Sequence, residues 1–338
     1  MIKYNIALFA CLLFIGSAIS ANCIKPSVTD FNKEKYYSGT RDLSGDNLRE
    51  KLNNIIKNHR VYSYKCVWDI LKDTDEDINN PDNIIGIYTG RSIPKKDQDQ
   101  GKNNPDSWNR EHVWAKSHGF PKKNQHAYTD THHIRAADRS VNSDRSNYDF
   151  ANGGKPHQEC EGCKQGDKTW EAPDHVKGDI ARMMFYMDVR YEGNDNSKVG
   201  DLKLVNEKTN NGENRFGKLC TLLDWHILDP VDQKERNRHN IIFQWQKNRN
   251  PFIDHPEFAL KIWGKDCSFS NTSDSEIKRK IIQQSIDNYS GNCPCPYNTT
   301  RSGRKCGKRS AYSRPGGYSP ICYEHDVTQA MIKQYRKK

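Results

Sequence analysis

The chain has 338 residues, of which only 34% are apolar, with a mean hydropathy of -0.99 and a formal net charge of +10. Its 7 Trp, 16 Tyr and 11 Phe nevertheless supply large areas for burial, which argues against an extensively disordered chain. The length suits one large domain or two smaller ones, and no segment after the N-terminus is apolar enough to predict a membrane span.

The N-terminal segment, residues 1–20, carries one Lys, an apolar run from Ile6 to Ile15 and small residues at Ala18 and Ser20. This pattern predicts a secretory signal peptide cleaved near Ser20, because the apolar run is too short to cross a membrane. We therefore expect a secreted or periplasmic protein. Ten of the eleven cysteines follow this leader, and an even count in an exported chain favours disulfides.

Without the leader the formal net charge is about +9. A basic exported protein indicates a polyanionic partner, either nucleic acid or an acidic cell surface. Solubility alone is an equally simple reason for such a charge.

The predicted elements before residue 100 are two helices and a strand. Apolar residues at 48–56 recur on one helix face, and a second helical segment runs from about 64 to 71. The apolar run IIGIYT at 84–89 predicts a buried strand. Loop residues then lead to the segment 108–150, which is unusually rich in His, Asn and Arg.

Further helices are predicted after that segment. One begins near Asp174 with an apolar face that includes three Met, and another runs over 231–245. An amphipathic helix within 268–290 is interpreted as a linker. The remaining residues, 291–338, form a basic tail with four cysteines, which we expect to be a small stapled module.

The adjacent pair Glu111 and His112 offers a carboxylate and a base for phosphodiester chemistry. Neighbouring side chains of a strand point to opposite faces, so both can serve one site only if the strand ends or bends there. An isolated Glu-His pair is otherwise commonly a surface pair without function.

A helix that starts near Asp138 would place Asn142 and Arg145 three residues apart on one face. An amide oxygen suits Mg²⁺, and a nearby Arg suits a phosphate. The alternative for Asn142 is a role as a helix cap.

Five segments resemble, in order, the successive motifs of the bacterial endonuclease I family, exported nucleases of the His-Me finger (ββα-metal) class: NREHVWAKSHGF, DTHHIRAADRSVNSDRSN, KGDIARMMFYMDVRYEG, LLDWHILDPVD and NRNPFIDHPEF. The resemblance covers about residues 40–265. It implies an α+β fold, with a His-Me finger nuclease domain over 21–267 and a mostly helical surround. The Cys-rich module at 291–338 lies outside the resemblance.

By this resemblance, His112 is the base that activates water, and Glu111 and Asn142 hold one Mg²⁺, for which Mn²⁺ or Ca²⁺ are alternatives. Arg145 and Arg110 are expected to contact phosphate.

Four more residues of the segment are candidates. His132 and His133 could orient the site through hydrogen bonds or simply pack in the core, whereas Arg135 and Arg139 are expected to contact nucleic acid. The sequence departs from the family pattern where Pro is expected, at Ala115 and Ala136, and this is expected to loosen the chain there.

The cysteines leave two alternatives open. Cys160 and Cys163, close to His157, favour a disulfide over half of a zinc site, and the tail's four cysteines allow bridges or a zinc ribbon. The basic tail residues, Arg304 and Lys305 among them, could bind nucleic acid or form a solvated surface.

These patterns predict an exported endonuclease of low sequence specificity. It would hydrolyse DNA, with RNA as a second substrate, and leave 5′-phosphate ends by means of one divalent cation and a His base. The alternative is a secreted polyanion-binding or cell-surface-binding protein with an inactive nuclease fold. No partner protein can be identified from the sequence.

Overall fold

A computed structural model of the chain describes residues 23–27, 30–101, 104–267, 274–300, 303–314 and 320–335. The predicted leader, residues 1–20, lies outside the described residues. Within them, no helix is both long and apolar enough to cross a membrane.

The described strands, in chain order, are β1 (Glu76–Asp77), β2 (Asn80–Ile85), β3 (Ser92–Pro94), β4 (Trp108–His112), β5 (Ile134–Asp138), β6 (Asp149–Phe150), β7 (Lys155–Pro156), β8 (Lys164–Gln165), β9 (Thr169–Glu171), β10 (Lys203–Val205) and β11 (Arg215–Gly217). The described helices are α1 (Lys33–Tyr36), α2 (Gly45–Ile56), α3 (Cys66–Thr74), α4 (Arg139–Arg145), α5 (Lys177–Arg190), α6 (Leu219–Leu228), α7 (Gln233–Gln246), α8 (Pro251–Asp254), α9 (Glu257–Trp263), α10 (Asp274–Asp287) and α11 (Gln329–Tyr335). The fold is therefore a mixed α and β one.

The predicted functional segment folds as two strands and a helix. β4 and β5 pair antiparallel with Glu111 opposite Arg135 and His112 opposite Ile134, and α4 follows β5 directly. β4 ends at His112, as a shared site for Glu111 and His112 requires.

The predicted strand at 84–89 is only partly correct. β2 ends at Ile85 and the chain turns over 87–89. Thr89 and Arg91 both hydrogen-bond the Asp138 carboxylate, and Tyr88 reaches Glu111, so the side chains of this turn serve the neighbouring β4–β5 unit. The apolar pattern of residues 84–89 does not reveal contacts with segments far along the chain, and the strand was therefore predicted to be too long.

Helix α5 is the centre of the core. Twelve of its 14 residues are buried, including Arg182, Asp188 and Arg190. The sequence predicted an apolar face with Met, and those Met residues are buried as expected. The buried charges are paired: Arg182 with Glu235, and Asp188 with Arg49. Packing on all sides of α5 therefore depends on ion pairs as well as apolar contact.

The carboxylate of Asp75 joins the β4–β5 unit to the helices. It accepts hydrogen bonds from Arg135 Nε at 3.0 Å, Arg238 Nε at 2.6 Å and Ala136 N at 2.7 Å. Burial alone would raise the pKa of Asp75, but the two guanidinium groups lower it overall. At Ala136, where looser chain was expected, the N–H that a proline would lack donates to Asp75.

Disulfides fasten both halves of the chain. In the described residues the bridges are Cys23–Cys66, Cys160–Cys163, Cys220–Cys267, Cys293–Cys306 and Cys295–Cys322. The interpretation of Cys160 and Cys163 as a disulfide is confirmed, and neither they nor the tail cysteines form a zinc site. Bridges of this number are typical of an oxidising compartment.

The predicted linker helix packs against the tail. Ile277 of α10 forms a small buried cluster with Val327 and Ile332, and Ser285 Oγ accepts a hydrogen bond from Ile321 N at 2.8 Å. Residues 268–273 lie outside the described residues. The helix is thus part of the C-terminal packing.

Asp75→Asn should destabilise the protein by about 3 kcal/mol, because Arg135 and Arg238 would remain buried with much of their counter-charge removed. Urea unfolding with intact disulfides, followed by Trp fluorescence, measures this loss. Asp82→Asn, at an exposed position, is the matched control and should change the free energy of unfolding by less than about 0.5 kcal/mol. Equal stability of the two variants would contradict the role of Asp75.

Candidate active site

A cavity of about 620 Å³ lies where β4 meets α4. Its lining residues are Tyr64, Trp68, Asp99, Gly101, Asn109, Arg110, Glu111, His112, Ala115, Lys116, Ser117, Asn142, Ser143, Ser146 and Asn147. The structure thus brings together the expected base, both expected cation ligands and Arg110.

The ring of His112 is fixed by the chain segment opposite. Its Nε2 lies 3.0 Å from the carbonyl oxygen of Tyr128. A carbonyl can only accept, so Nε2 carries the hydrogen and Nδ1 of the neutral ring carries the lone pair. Burial, with further contributions from His133 and Lys116, holds the pKa of His112 well below its usual value. The lowered pKa favours the neutral ring, whose Nδ1 can accept a proton.

The carboxylate of Glu111 is held from two sides. Tyr88 donates its hydroxyl to Oε1 at 2.6 Å, and Arg145 Nε lies 3.4 Å from the same oxygen. Burial nevertheless raises the pKa of Glu111 overall. A further positive charge near this carboxylate would favour its ionised form.

Asn142 presents an amide oxygen to the cavity. Its Nδ2 donates to Asn109 Oδ1 at 2.5 Å, which leaves Oδ1 of Asn142 as the acceptor. Within the described part of the chain, no group of three or more His, Cys, Asp or Glu side chains is placed to hold a metal ion. One carboxylate and one amide fit Mg²⁺, which keeps several of its waters, better than they fit Zn²⁺.

Arg145 has a different environment from the one expected. It is fully buried, its Nη2 donates to Val113 O at 2.5 Å, and its guanidinium carbon lies 4.7 Å from the centre of the Phe150 ring. A group enclosed in this way cannot contact a phosphate directly. Instead it supports Glu111 and the carbonyl groups at the end of β4.

Arg110 lies between two aromatic rings. Its guanidinium carbon is 3.4 Å from the ring centre of Tyr64 and 4.0 Å from that of Trp68, and Nη1 donates to Tyr64 O. These contacts fix the side chain in the wall of the cavity. Sequence reasoning missed both aromatic residues, although their spacing of four on a predicted helix placed them on one face.

His132 and His133 are buried and do not line the cavity. His133 Nε2 donates to Ala127 O at 2.8 Å, and its ring lies 5.6 Å from that of His112. His132 Nε2 lies 3.2 Å from Asn248 O. Burial lowers the pKa of His132 to about 3 and that of His133 to about 4. Of the pair, His133 packs against the expected base.

Asp130, which sequence reasoning missed, organises this pair. It accepts hydrogen bonds from the hydroxyls of Tyr186 at 2.8 Å and Tyr191 at 2.9 Å, and from Gln246 Nε2 at 2.9 Å. It therefore ties the segment before β5 to helices α5 and α7. A single Asp between Thr residues gives no local signal of this role.

The four arginine and lysine residues expected to bind nucleic acid differ in position. Arg135 is only 3% exposed and paired with Asp75, so the structure does not support a contact with nucleic acid there. Arg139 is partly exposed, with Nε 3.2 Å from Asp99 Oδ2 at the cavity. Arg304 and Lys305 are exposed on the C-terminal segment.

The sequence model of the family described as Endonuclease I matches residues 44–257. The chain belongs to the endonuclease I family. This confirms the family expected from the motifs, and it identifies the protein as a nuclease. The matched range contains the whole β4–β5–α4 unit and the expected site residues of the nuclease domain.

Curated relatives agree with the endonuclease I assignment. The extracellular ribonuclease of Bacillus subtilis (strain 168) is 48% identical over 250 residues, 73% of this chain and 85% of the relative. The extracellular ribonuclease of Bacillus amyloliquefaciens is 48% identical over 246 residues, 72% of this chain and 82% of the relative. Endonuclease-1 of Buchnera aphidicola subsp. Acyrthosiphon pisum (strain APS) is 27% identical over 136 residues, 39% of this chain and 47% of the relative.

Tyr88→Phe should lower kcat by about tenfold, because Glu111 would lose the hydroxyl that orients it. The lost hydrogen bond to a charged group should also cost about 1.5–3 kcal/mol of unfolding free energy. Nuclease assays and urea unfolding measure the two effects. Tyr62→Phe, which removes a bond from a buried hydroxyl to Trp245 O, is the control and should lose stability only. Wild-type activity in Tyr88→Phe would show that this bond does not position Glu111.

Proposed function

We propose that the protein is a secreted nuclease that hydrolyses RNA and DNA with little base specificity and leaves 5′-phosphate ends. The observation that carries this proposal is the common cavity of His112, Glu111 and Asn142 at the end of β4, with His112 held as the tautomer whose Nδ1 accepts a proton. The β4–β5–α4 unit is, in this proposal, a His-Me finger.

In the proposed reaction Nδ1 of His112 removes a proton from water, and the water oxygen forms a bond to phosphorus. The bond between phosphorus and the 3′ oxygen breaks, and this oxygen leaves as a 3′-hydroxyl after it takes up a proton from solvent. Tyr128 O holds the imidazole through Nε2 while its Nδ1 becomes protonated. Arg110 contacts a phosphate oxygen from the cavity wall.

Glu111 and Asn142 would hold one divalent cation, with Mg²⁺ favoured and Mn²⁺ or Ca²⁺ as alternatives. When bound, this cation supplies positive charge to the phosphate and to the leaving 3′ oxygen. Arg145 and Tyr88 keep the Glu111 carboxylate in place for it.

Two observations support the substrate class and the location. The relatives at 48% identity are named extracellular ribonucleases, which favours RNA as a substrate and secretion as the destination. Since water and not a 2′-hydroxyl is the nucleophile, the same site should also cleave DNA. The bridges between cysteines agree with secretion.

His112→Ala should lower kcat by about 10²–10⁴-fold on RNA and DNA alike, because no other group replaces the base. Cleavage of single strands of the same sequence, with analysis of the ends, measures this effect. His175→Ala, at an exposed position, is the control and should retain activity. Undiminished cleavage by His112→Ala, or 2′,3′-cyclic phosphate products from the wild-type protein, would overturn the mechanism.

Removal of divalent cations with EDTA should abolish cleavage, and Mg²⁺ should restore it. Glu111→Gln should raise the Mg²⁺ concentration for half-maximal activity by about tenfold or more, because a charged ligand becomes neutral. Glu159→Gln, an exposed carboxylate, is the control and should leave that concentration unchanged. A Glu111→Gln variant with the wild-type Mg²⁺ requirement would remove Glu111 from the ligand set.

A further inference from the structure

The positive charge of the chain is concentrated at its C-terminal end. Residues 291–338 hold ten Lys and Arg against two acids, Glu324 and Asp326, and so supply +8 of the formal net charge of +10. The match to the endonuclease I family ends at residue 257. The part that carries the expected catalytic residues is therefore close to neutral, although a polyanion is its proposed substrate.

The cations of the two parts differ in burial and in pairing. Many Arg of the family-matched part are buried and paired with acids, as Arg135, Arg182 and Arg238 show. In the C-terminal segment, five cationic side chains are exposed, and none of them pairs with an acid within the part of the chain that the structure describes. These are Arg304, Lys305, Lys308, Arg309 and Arg314. Their positive charge acts on the surrounding solution and is not neutralised by the protein.

The shape of the segment suits a phosphate chain. The bridges Cys293–Cys306 and Cys295–Cys322 fasten it, and a cavity of about 260 Å³ is lined by Arg309 and Arg314 together with polar and aromatic side chains. Tyr297 is 45% exposed, while its hydroxyl donates to Cys322 O at 2.8 Å and so fixes the ring. An exposed, fixed ring and exposed cations on the same disulfide-linked segment are the features that bind single strands, by stacking and by backbone contact.

We propose that the described residues 293–300, 303–314 and 320–322 form a second nucleic-acid-binding surface, which holds the backbone of a single strand outside the catalytic cavity. The five exposed cations contact phosphates, and Tyr297 stacks on a base. This deepens the proposed function and rests on it for the substrate class. It assigns substrate retention to the C-terminal segment and bond cleavage to the cavity at β4.

The test uses the full-length chain with His112→Ala, bound to a labelled oligothymidylate of about 30 nucleotides over a range of KCl concentrations. In a neutralised variant, the five cations Arg304, Lys305, Lys308, Arg309 and Arg314 are each changed to Gln. The slope of log Kd against log salt should fall by about 3.5, because each of the five phosphate contacts on a single strand contributes about 0.7. At moderate salt, Kd should rise by about tenfold or more.

Two matched controls accompany this variant. A charge-conserving variant, with Arg304→Lys, Arg309→Lys and Arg314→Lys, should keep the wild-type slope. A second variant removes five exposed lysines of the family-matched part and its flanks and should change the slope by less than about 1. Its substitutions are Lys35→Gln, Lys203→Gln, Lys208→Gln, Lys261→Gln and Lys265→Gln.

With His112 intact, all variants should hydrolyse bis(p-nitrophenyl) phosphate at the wild-type rate, because this substrate is too small to reach both surfaces. An unchanged salt slope in the neutralised variant would overturn the proposal. Equal competition by dextran sulfate, together with no effect of Tyr297→Ser, would replace it with a general polyanion anchor. Intact binding by a wild-type protein that cleaves nothing would instead contradict the proposed function alone.

Discussion

The buried guanidinium of Arg145 is the contact on which the site depends most. It lies under the end of β4, where it donates to backbone carbonyls and pairs with Glu111. A strand end has carbonyls that no neighbouring strand satisfies, and a buried carboxylate needs an opposite charge. One side chain meets both needs, so the positions of Glu111 and His112 depend on the buried guanidinium of Arg145.

Two buried acids link the β4–β5 unit to the surrounding helices. Asp75 joins β5 to α7 through Arg238, and Asp130 joins the segment before β5 to α5 and α7. Burial raises the cost of ionising Asp130, yet the nearby histidines His59, His132 and His133 hold its pKa below the usual range. Because such pairs are satisfied in only one arrangement, the strand pair and the helices around it are held as one unit.

Much of the site could be predicted because its chemistry is local in sequence. Glu111 and His112 are adjacent, and the spacing of Asn142 on a helix follows from periodicity. The predictions were wrong where a side chain's partner is far along the chain. Arg145 and Arg135 have the residue type that binds phosphate, but long-range contacts with Val113 and Asp75 hold them in the core. The turn at 87–89 differs from the predicted strand for the same reason.

The buried, paired cations of the family-matched part and the exposed cations of the C-terminal segment should respond differently to salt. Salt screens exposed charges within about 10 Å at 0.1 M, whereas buried pairs are screened much less. The fold, held by internal pairs such as Asp75 with Arg238, should therefore be indifferent to salinity. The proposed attraction of the exposed C-terminal cations to a polyanion should instead weaken as the salt concentration rises. At high salt concentration the protein would stay folded but dissociate from its polyanionic substrate, and dilution of the salt would restore binding without refolding.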